Sequence, residues 1–582
     1  MFIRVKTTPN SPRRSVQVVE SVRRAGKVSQ RIVRHVGIAL DRDEQLKLSA
    51  MAQEFIDRTA IERTNKDALF TVESVGRTGR AGRPARQTLA TVIPASAVAL
   101  SDVAETSRRV EGPHEVLGHL YDYLRFDRVL GNRPGSGRGR GAAMLRDLVL
   151  ARVMAPASKR DSARELEVAY GKRYTTDSLY RLMDSVQERL DDLKRIVFEA
   201  TASLTGGMVS MMLFDITTLY FESVAVDEGA GALRAFGYSK DQKYHCTQVV
   251  LALATNEDGL PIGYELFPGN TAEVKTLVAC MEAWKKKLKI DQVTFVADRA
   301  LCSKANLNLL EERGWSYVVA MPLRKSLKAA QQVQIMRTMT ATAHDVEGDL
   351  LWVREFDWLG RRLIVTYSSK RAHKDQADRK ALVERLTAKL GKANQGKVDP
   401  ATGEIKVVPN ARRLITNSGY LKYVEQKDAG GVFVINEDKL LADAAWDGLH
   451  AIVTNDRSTS AKDLLTRYRR LWVIEDSFRV LKHSLAVRPI YHFKAERIQA
   501  HIAICFLAFA LIRHAQQRIR LAQTAMSTEQ IRLALYSVQA SILVHKQSGA
   551  KYRLPSAVSH AASRIYKAFG LTRNTDVAVL LE

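Results

Sequence analysis

Hydrophobic and polar positions change period several times along this chain, and each change marks a new element. The first forty residues alternate (SVQVVESVRRAGKVSQRIVRHVG), which predicts two or three short strands turning at Ala25-Gly26, with Arg and Lys at most exposed positions. Residues 41–63 read as a helix. Residues 72–95 include VGRTGRAGRPARQ, rich in Arg and Gly without a core pattern, and predict a flexible linker or arm. Residues 112–130 and 142–204 carry a helical period in short helices. Thr175-Thr176-Asp177 is an N-cap signal for SLYRLMDSV, which a helix-turn-helix would lay in a DNA groove. A three-helix bundle without DNA has the same pattern.

At residue 206 the pattern turns to strands. MVSMMLFDITTLYFES gives an apolar strand ending at Asp215, and HCTQVVLALATNEDGLPIGYELFPGN gives two more around a turn at Glu257-Asp258-Gly259. A helix (TAEVKTLVACMEAWKKKL), a strand ending at Asp298, a helix capped by Ser303, and a fifth strand (WSYVVAMPL) follow. Residues 324–455 interrupt with strand-like pieces, a charged helical piece and a basic loop. Ala461 to Leu485 then reads as one long helix. On it Tyr468, Trp472, Glu475, Arg479 and Lys482 share a narrow face, at steps of four and three residues, beside an apolar face of Leu464, Leu471, Ile474, Phe478, Leu481 and Leu485. The plain reading of that polar face is a surface helix with ion pairs such as Glu475 with Arg479. Residues 496–571 read as helical throughout.

Composition narrows the choice of partner. Lys plus Arg is 89 against 63 Asp plus Glu, a net charge of +26, in a chain that is 46% apolar. That excess points first to a polyanion, above all nucleic acid, with an anionic membrane surface as the competitor. The longest apolar run, Ile502 to Ile512, is too short to span a bilayer, and MFIRVKTTPNSPRR is no signal peptide. No membrane partner is expected. The four cysteines are scattered without zinc spacing, which suits buried thiols in a reducing compartment. The basic glycine loop Gly131 to Gly141 lacks the Lys-Ser/Thr ending of a phosphate loop.

The candidate chemistry lies in three acids. Asp215 and Asp298 end apolar strands of one mixed α/β stretch, and Glu475 faces with cations on a later helix. Three converging carboxylates repel one another unless divalent cations neutralise them. Two Mg²⁺ ions so held activate a water or a 3′-hydroxyl and stabilise the leaving oxygen of a phosphodiester.

These residues carry a resemblance. The strand order, with Asp215 on the first strand, Asp298 after the fourth and Glu475 on a later helix, resembles the RNase H-like core of DDE transposases. Tyr468, Glu475 and Lys482 resemble the Tyr-Arg-Glu-Lys signature of one bacterial insertion-sequence group, and Asp298-Arg299 its second acid. Leu471 stands where the signature has Arg, and Arg488 to His492 (RPIYH) resembles a subgroup without that Arg. The resemblance implies a multidomain α/β fold in which an RNase H-like catalytic core, a mixed sheet flanked by helices, is interrupted by a β-rich insertion. Small β and helical DNA-binding domains precede it.

The expected boundaries are 1–70 for the basic N-terminal domain, 71–111 for the linker and 112–205 for the helical DNA-binding domain. The core spans 206–323 and 456–520 around the insertion 324–455, and 521–582 is a C-terminal helical region. The resemblance further implies that Asp215, Asp298 and Glu475 hold two Mg²⁺ ions, with Mn²⁺ as a substitute, for nicking at element ends and strand transfer into target DNA. Tyr468, Lys482, Arg299, Arg479 and the linker's Arg83 are the candidate DNA contacts, and Trp352 and Trp358 the candidate platforms for a flipped base. Trp472 reads as packing, and His245, His483 and His492 as structural or phosphate contacts. Partners are double-stranded DNA, as terminal repeats and target, and a second copy as a homodimer on DNA. The location is cytoplasmic, at the nucleoid. A nuclease without strand transfer and a catalytically silent DNA-binding regulator are the alternatives, and Asp476 is the alternative to Glu475.

Overall fold

The computed structural model describes residues 1–7, 14–24, 27–39, 44–46, 48–53, 56, 100–131, 139–204, 209–229, 231–288, 293–338, 344–346, 349–394, 397–398, 405–406, 421–427, 432–522 and 525–580. The Arg/Gly-rich linker with Arg83, the turn at Ala25-Gly26, most of the 131–141 loop and most of the basic loop after 391 lie outside them.

From residue 211 the expected order of elements is found. Strands β1 (Met211–Tyr220), β2 (Gln248–Thr255) and β3 (Pro261–Pro268) precede helix α1 (Glu273–Leu288), then β4 (Thr294–Ala297), α2 (Lys304–Glu312) and β5 (Ser316–Ala320). Strands β6 (Asp349–Trp358) and β7 (Arg361–Ser368), helix α3 (Ser369–Asn394) and strand β8 (Leu449–Thr454) follow. Helices α4 (Ala461–Arg469) and α5 (Trp472–Arg479), a π turn (Val480–Ser484) and α6 (Ala495–Ala522) complete the stretch. This is the multidomain α/β fold of an RNase H-like core with an insertion. The chain divides into two compact units, one of residues 1–293 and 471–582, the other of residues 294–470.

In the first unit β1, β2 and β3 form an antiparallel meander with Asp215 opposite Leu253. Every residue of β2 is buried, as a central strand's continuous apolar run requires. β1 does not end at Asp215 but continues through ITTLY, whose Thr and Ile positions favour extended backbone.

The unit's core is α6. It is 28 residues long and its most apolar 18-residue window has mean hydropathy 1.6, so by length and composition it could cross a membrane, contrary to the reading of its sequence. However, 89% of its most apolar window is buried inside the protein. A helix apolar on all sides is a core helix when other elements cover it. Helices Gly112–Tyr123, Arg140–Met154, Thr176–Gln187 and Leu190–Ser203 do so. Residues 112–204 therefore pack as part of this unit. The helix expected to enter a groove turns Leu179, Leu182, Met183 and Val186 inward. Asp177, Arg181, Asp184 and Glu188 are exposed together on its other side, where Arg497 of α6 pairs with Asp184 at 3.1 Å.

The N-terminal strands Phe2–Thr7, Arg14–Arg24 and Lys27–Ala39 form the expected small sheet, and Val16, Val18, Val36 and Leu48 share a core with Leu521 of α6. Two expectations change. The linker ends in a strand, Val103–Val110, which pairs with Gln539–His545. The C-terminal region is not all helical, because Lys551–Pro555 and Ala578–Leu580 extend the same sheet.

The second unit is built on a mixed sheet in the order His344–Val346, β6, β7, β8, β5, β4, antiparallel except for the parallel pair β4 and β5. β8 pairs with β5, so residues 449–454 belong to the sheet of β4 rather than to the insertion alone. Helix α3 packs on β6 and β7, and Leu386 and Leu390 form a small core with Tyr423 and Phe433. The long helix expected over Ala461 to Leu485 is broken at Arg470-Leu471, where one unit gives way to the other.

Candidate active site

In the first unit the two acids sit on touching elements. Asp215 lies between buried Phe214 and Ile216 on β1, and α5, which carries Glu475, packs against that strand. Gly259 at the β2–β3 turn has φ +78, which a side chain resists, and a Cβ there would meet Val473 Cγ1 of α5 at 3.0 Å. The Asp215 carboxylate accepts the Ile216 N–H at 2.7 Å. Lys240, on the β1–β2 loop, brings its ammonium to 3.9 Å from Asp215 and 2.9 Å from Glu273.

Glu475 and Asp476 are neighbours with opposite environments. Asp476 pairs with Arg479 at 2.6 Å and with the nearly buried Arg513 at 2.7 Å. Burial pushes the Arg513 pKa down, against the pull of Asp476. Glu475 is exposed, and its carboxylate has no ion pair or hydrogen bond among the described residues. The Glu475–Arg479 pair of the plain sequence reading does not form, because Asp476 takes the cation.

The second unit holds Asp298, which follows β4 and directly precedes the short turn Arg299–Leu301, with no capping hydrogen bond from its side chain. α4 packs on β4 and β5 and aims the Tyr468 hydroxyl at Asp298 Oδ1, 3.4 Å away. Burial raises the Tyr468 pKa and the Asp298 charge adds to it, so the phenol stays protonated. Its ring lies 5.0 Å from His450, whose pKa is lowered to about 4, first by burial and then by Arg371. The imidazole is therefore neutral at pH 7. Beside Tyr468 opens a cleft lined by Lys370, Arg371, Lys374, His450 and Arg469, with Asp375 and Asp378 as its acids. The sequence shows these cations only as a charged helical piece, because the fold of α3 onto β7 is what gathers them.

The other candidates separate. Arg299 is exposed without a partner among the described residues, and Arg479 is exposed but held by Asp476. Lys482 is not free for phosphate. Its ammonium, 10% exposed, donates to Asp241 at 3.2 and 3.3 Å, and Arg488 joins the same carboxylate at 3.3 Å. Trp472 is 62% exposed, not packed. Trp358 is 5% exposed beneath the Arg361 guanidinium and offers no face to a base. Trp352 is half-buried against Tyr367, ring centroids 4.7 Å apart. Leu471 is buried, which suits leucine better than the signature's guanidinium. His245 and His483 are exposed, whereas burial lowers the His492 pKa to about 3. Among the described residues no three His, Cys, Asp or Glu side chains form a ready metal-binding group.

Residues 212–511, which span all three acids, match the family described as the transposase DDE domain. The chain belongs to the DDE transposases. Residues 3–63 of this transposase match the N-terminal domain of IS1634 family transposases, which makes it the transposase of an insertion sequence. Family membership carries divalent-metal-dependent chemistry on DNA with it. No curated protein matches. A cryo-EM structure of piggyBac transposase synaptic complex with hairpin DNA aligns with 73% of this chain and 77% of that chain, at 10% identity and a TM-score of 0.32. That likeness is too loose to argue from.

Proposed function

We propose that this transposase binds the terminal repeats of its element, hydrolyses the phosphodiester bonds there and joins the freed 3′-OH ends to target DNA, with Asp215, Asp298 and Glu475 holding two Mg²⁺ ions. The observation that carries the reading is the contrast on α5, where Asp476 is locked by two arginines and the Glu475 carboxylate beside it is exposed and unpaired among the described residues. A carboxylate left bare in a chain of net charge +26 is available to a cation from solution. The donor set fits Mg²⁺, since three carboxylates supply hard oxygen ligands, and Mn²⁺ accepts the same donors. When bound, the ions supply an activated water or 3′-hydroxyl and a stabilised leaving oxygen. Tyr468 orients Asp298 through its hydroxyl. Arg299 and the cations of the α3 cleft neutralise phosphates of the DNA strand. A homodimer on DNA pairs the two ends, and the protein works in the cytoplasm at the nucleoid.

The test is a cleavage and strand-transfer assay on labelled DNA carrying the element's ends, in Mg²⁺ and in EDTA. It includes Asp215→Ala, Asp298→Ala and Glu475→Gln. Metal-dependent cutting and joining, lost in all three variants, is the expected result. Cutting without joining would make the protein a nuclease, end binding without cutting a regulator. Full activity in any one variant would remove that acid from the site.

A further inference from the structure

The β1–β2 connection holds two exposed tyrosines on a fixed frame, and nothing above uses them. Its backbone is tied to itself. The Gln242 N–H donates to the Ser239 carbonyl at 3.2 Å, the Lys243 N–H to Ser239 Oγ at 3.1 Å, and the Cys246 N–H to the Lys243 carbonyl at 3.1 Å. Gln248 Nε2 donates to the Tyr238 carbonyl at 3.1 Å. The loop is also clamped to both elements that carry acids in this unit. The Lys240 N–H donates to Thr218 Oγ1 of β1 at 3.1 Å, and its ammonium faces Asp215. Asp241 takes Lys482, from the π turn that continues α5, together with Arg488. From this frame the Tyr238 ring stands 76% exposed and the Tyr244 ring 58% exposed, centroids 6.3 Å apart and planes at 58°. Lys243 directly precedes Tyr244 in the chain, with its ammonium 5.6 Å from the centroid of the Tyr220 ring.

We propose that Tyr238 and Tyr244 form a binding site for unpaired nucleobases of the DNA end whose phosphate lies at Asp215. The inference rests on the transposase site proposed above. An isolated exposed aromatic needs no explanation, but these two stand in contact with each other on a backbone that is ordered before any ligand arrives. Binding then costs little further ordering. Tyrosine rings take bases of any sequence by stacking, and Lys243 next to Tyr244 is the cation for a connecting phosphate. A base inside a duplex hides both faces in the stack, so the rings select bases that are unpaired or easily unpaired, as at a DNA end. Lys240 and Asp241, between the two tyrosines, fix the site within a few residues of the catalytic strand.

The experiment measures binding of the full-length protein in EDTA, so that cleavage plays no part. Two end-sequence DNAs serve as probes, one fully paired and one with its last three nucleotides unpaired. Each carries 2-aminopurine at the terminal position. Wild type binds the unpaired-end DNA more tightly and its 2-aminopurine fluorescence is quenched. The double variant Tyr238→Ala/Tyr244→Ala loses about tenfold in affinity for the unpaired-end DNA, within the range of base stacking on one aromatic ring, together with the quench. It binds the paired DNA as wild type does. Tyr238→Phe/Tyr244→Phe keeps both properties, since the ring and not the hydroxyl is the contact. Equal binding of both DNAs by wild type and the alanine variant overturns the proposal, as does an equal loss on both. A change in sedimentation without a change in DNA binding overturns it too and assigns the rings to a contact between protein copies. Failure of wild type to cut in Mg²⁺ would sink the proposed function but is read in a separate assay.

Discussion

At the scale of single residues, α5 offers a sharp comparison. Glu475→Gln removes an exposed group with no partner among the described residues, so stability changes by less than about 0.5 kcal/mol. If Glu475 holds metal as proposed, cleavage is lost, because an amide is a poor replacement for a carboxylate ligand. Asp476→Ala does the reverse. It takes the carboxylate from Arg513, whose side chain is 11% exposed and keeps only Ser477 Oγ and Gln516 Oε1 as acceptors, and costs about 2 kcal/mol, read as a drop in urea midpoint. Stable but inactive Asp476→Ala alongside active Glu475→Gln would exchange the two roles. Tyr468→Phe tests the other acid. The bond from its hydroxyl to Asp298 is long, so the melting temperature should barely move. Losing a group that orients a metal ligand raises the half-saturating Mg²⁺ for cleavage about tenfold. An unchanged Mg²⁺ titration would leave the tyrosine with a packing role against His450.

Elements differ in how far they could be read beforehand. The order of strands and helices around the three acids was legible because each apolar run is bounded by its own turn or cap, such as Ser303 before α2. The break at Arg470-Leu471 was not, because Leu471 keeps the apolar period on both sides and its dihedrals stay near helical. Strand Gln539–His545 was hidden in a region of helical composition, although Ala540 and Ile542 are buried at period two. The candidate site was legible as acids but not as neighbours. Lys240 reaches Asp215 and Glu273, and Asp241 reaches Lys482, only through the fold, and no local spacing announces them.

The core helix α6 carries a further expectation. Burial lowers the pKa of His514 to about 3 and of His501 well below its usual value, with His492 just ahead of the helix at about 3. Folded values below the unfolded value near 6.5 mean that the unfolded chain binds more protons. Stability is therefore full above pH 6.5 and falls as the pH drops towards 3, by about 1.4 kcal/mol per pH unit for each histidine once well below 6.5. Urea unfolding between pH 6.5 and 5 should show a slope of several protons, and His514→Gln should remove about one. A slope unchanged in that variant would mean that His514 is hydrated and titrates normally.

At the scale of the whole molecule, charge governs how the transposase meets DNA and carboxylates govern what it does there. The net charge of +26 acts through phosphates, so affinity for any duplex falls steeply with salt, by about a thousandfold or more between 50 and 200 mM if six to ten phosphates are contacted. In the proposed site Asp215, Asp298 and Glu475 act through metal. Substituting them should leave the slope of log affinity against log salt unchanged, because no cation is lost. Neutralising Lys370, Lys374 and Arg469 in the cleft beside Tyr468 should flatten that slope, by nearly one unit for each side chain that touches phosphate. Anisotropy titrations across a salt series, in EDTA, separate the two sets. If the cleft variants keep the wild-type slope, DNA does not run past Tyr468, and its path to Asp298 must use the exposed Arg299 instead. If the acid variants steepen it, the carboxylates were repelling phosphate in the metal-free protein, and added Mg²⁺ should then tighten wild-type binding while leaving Glu475→Gln little changed.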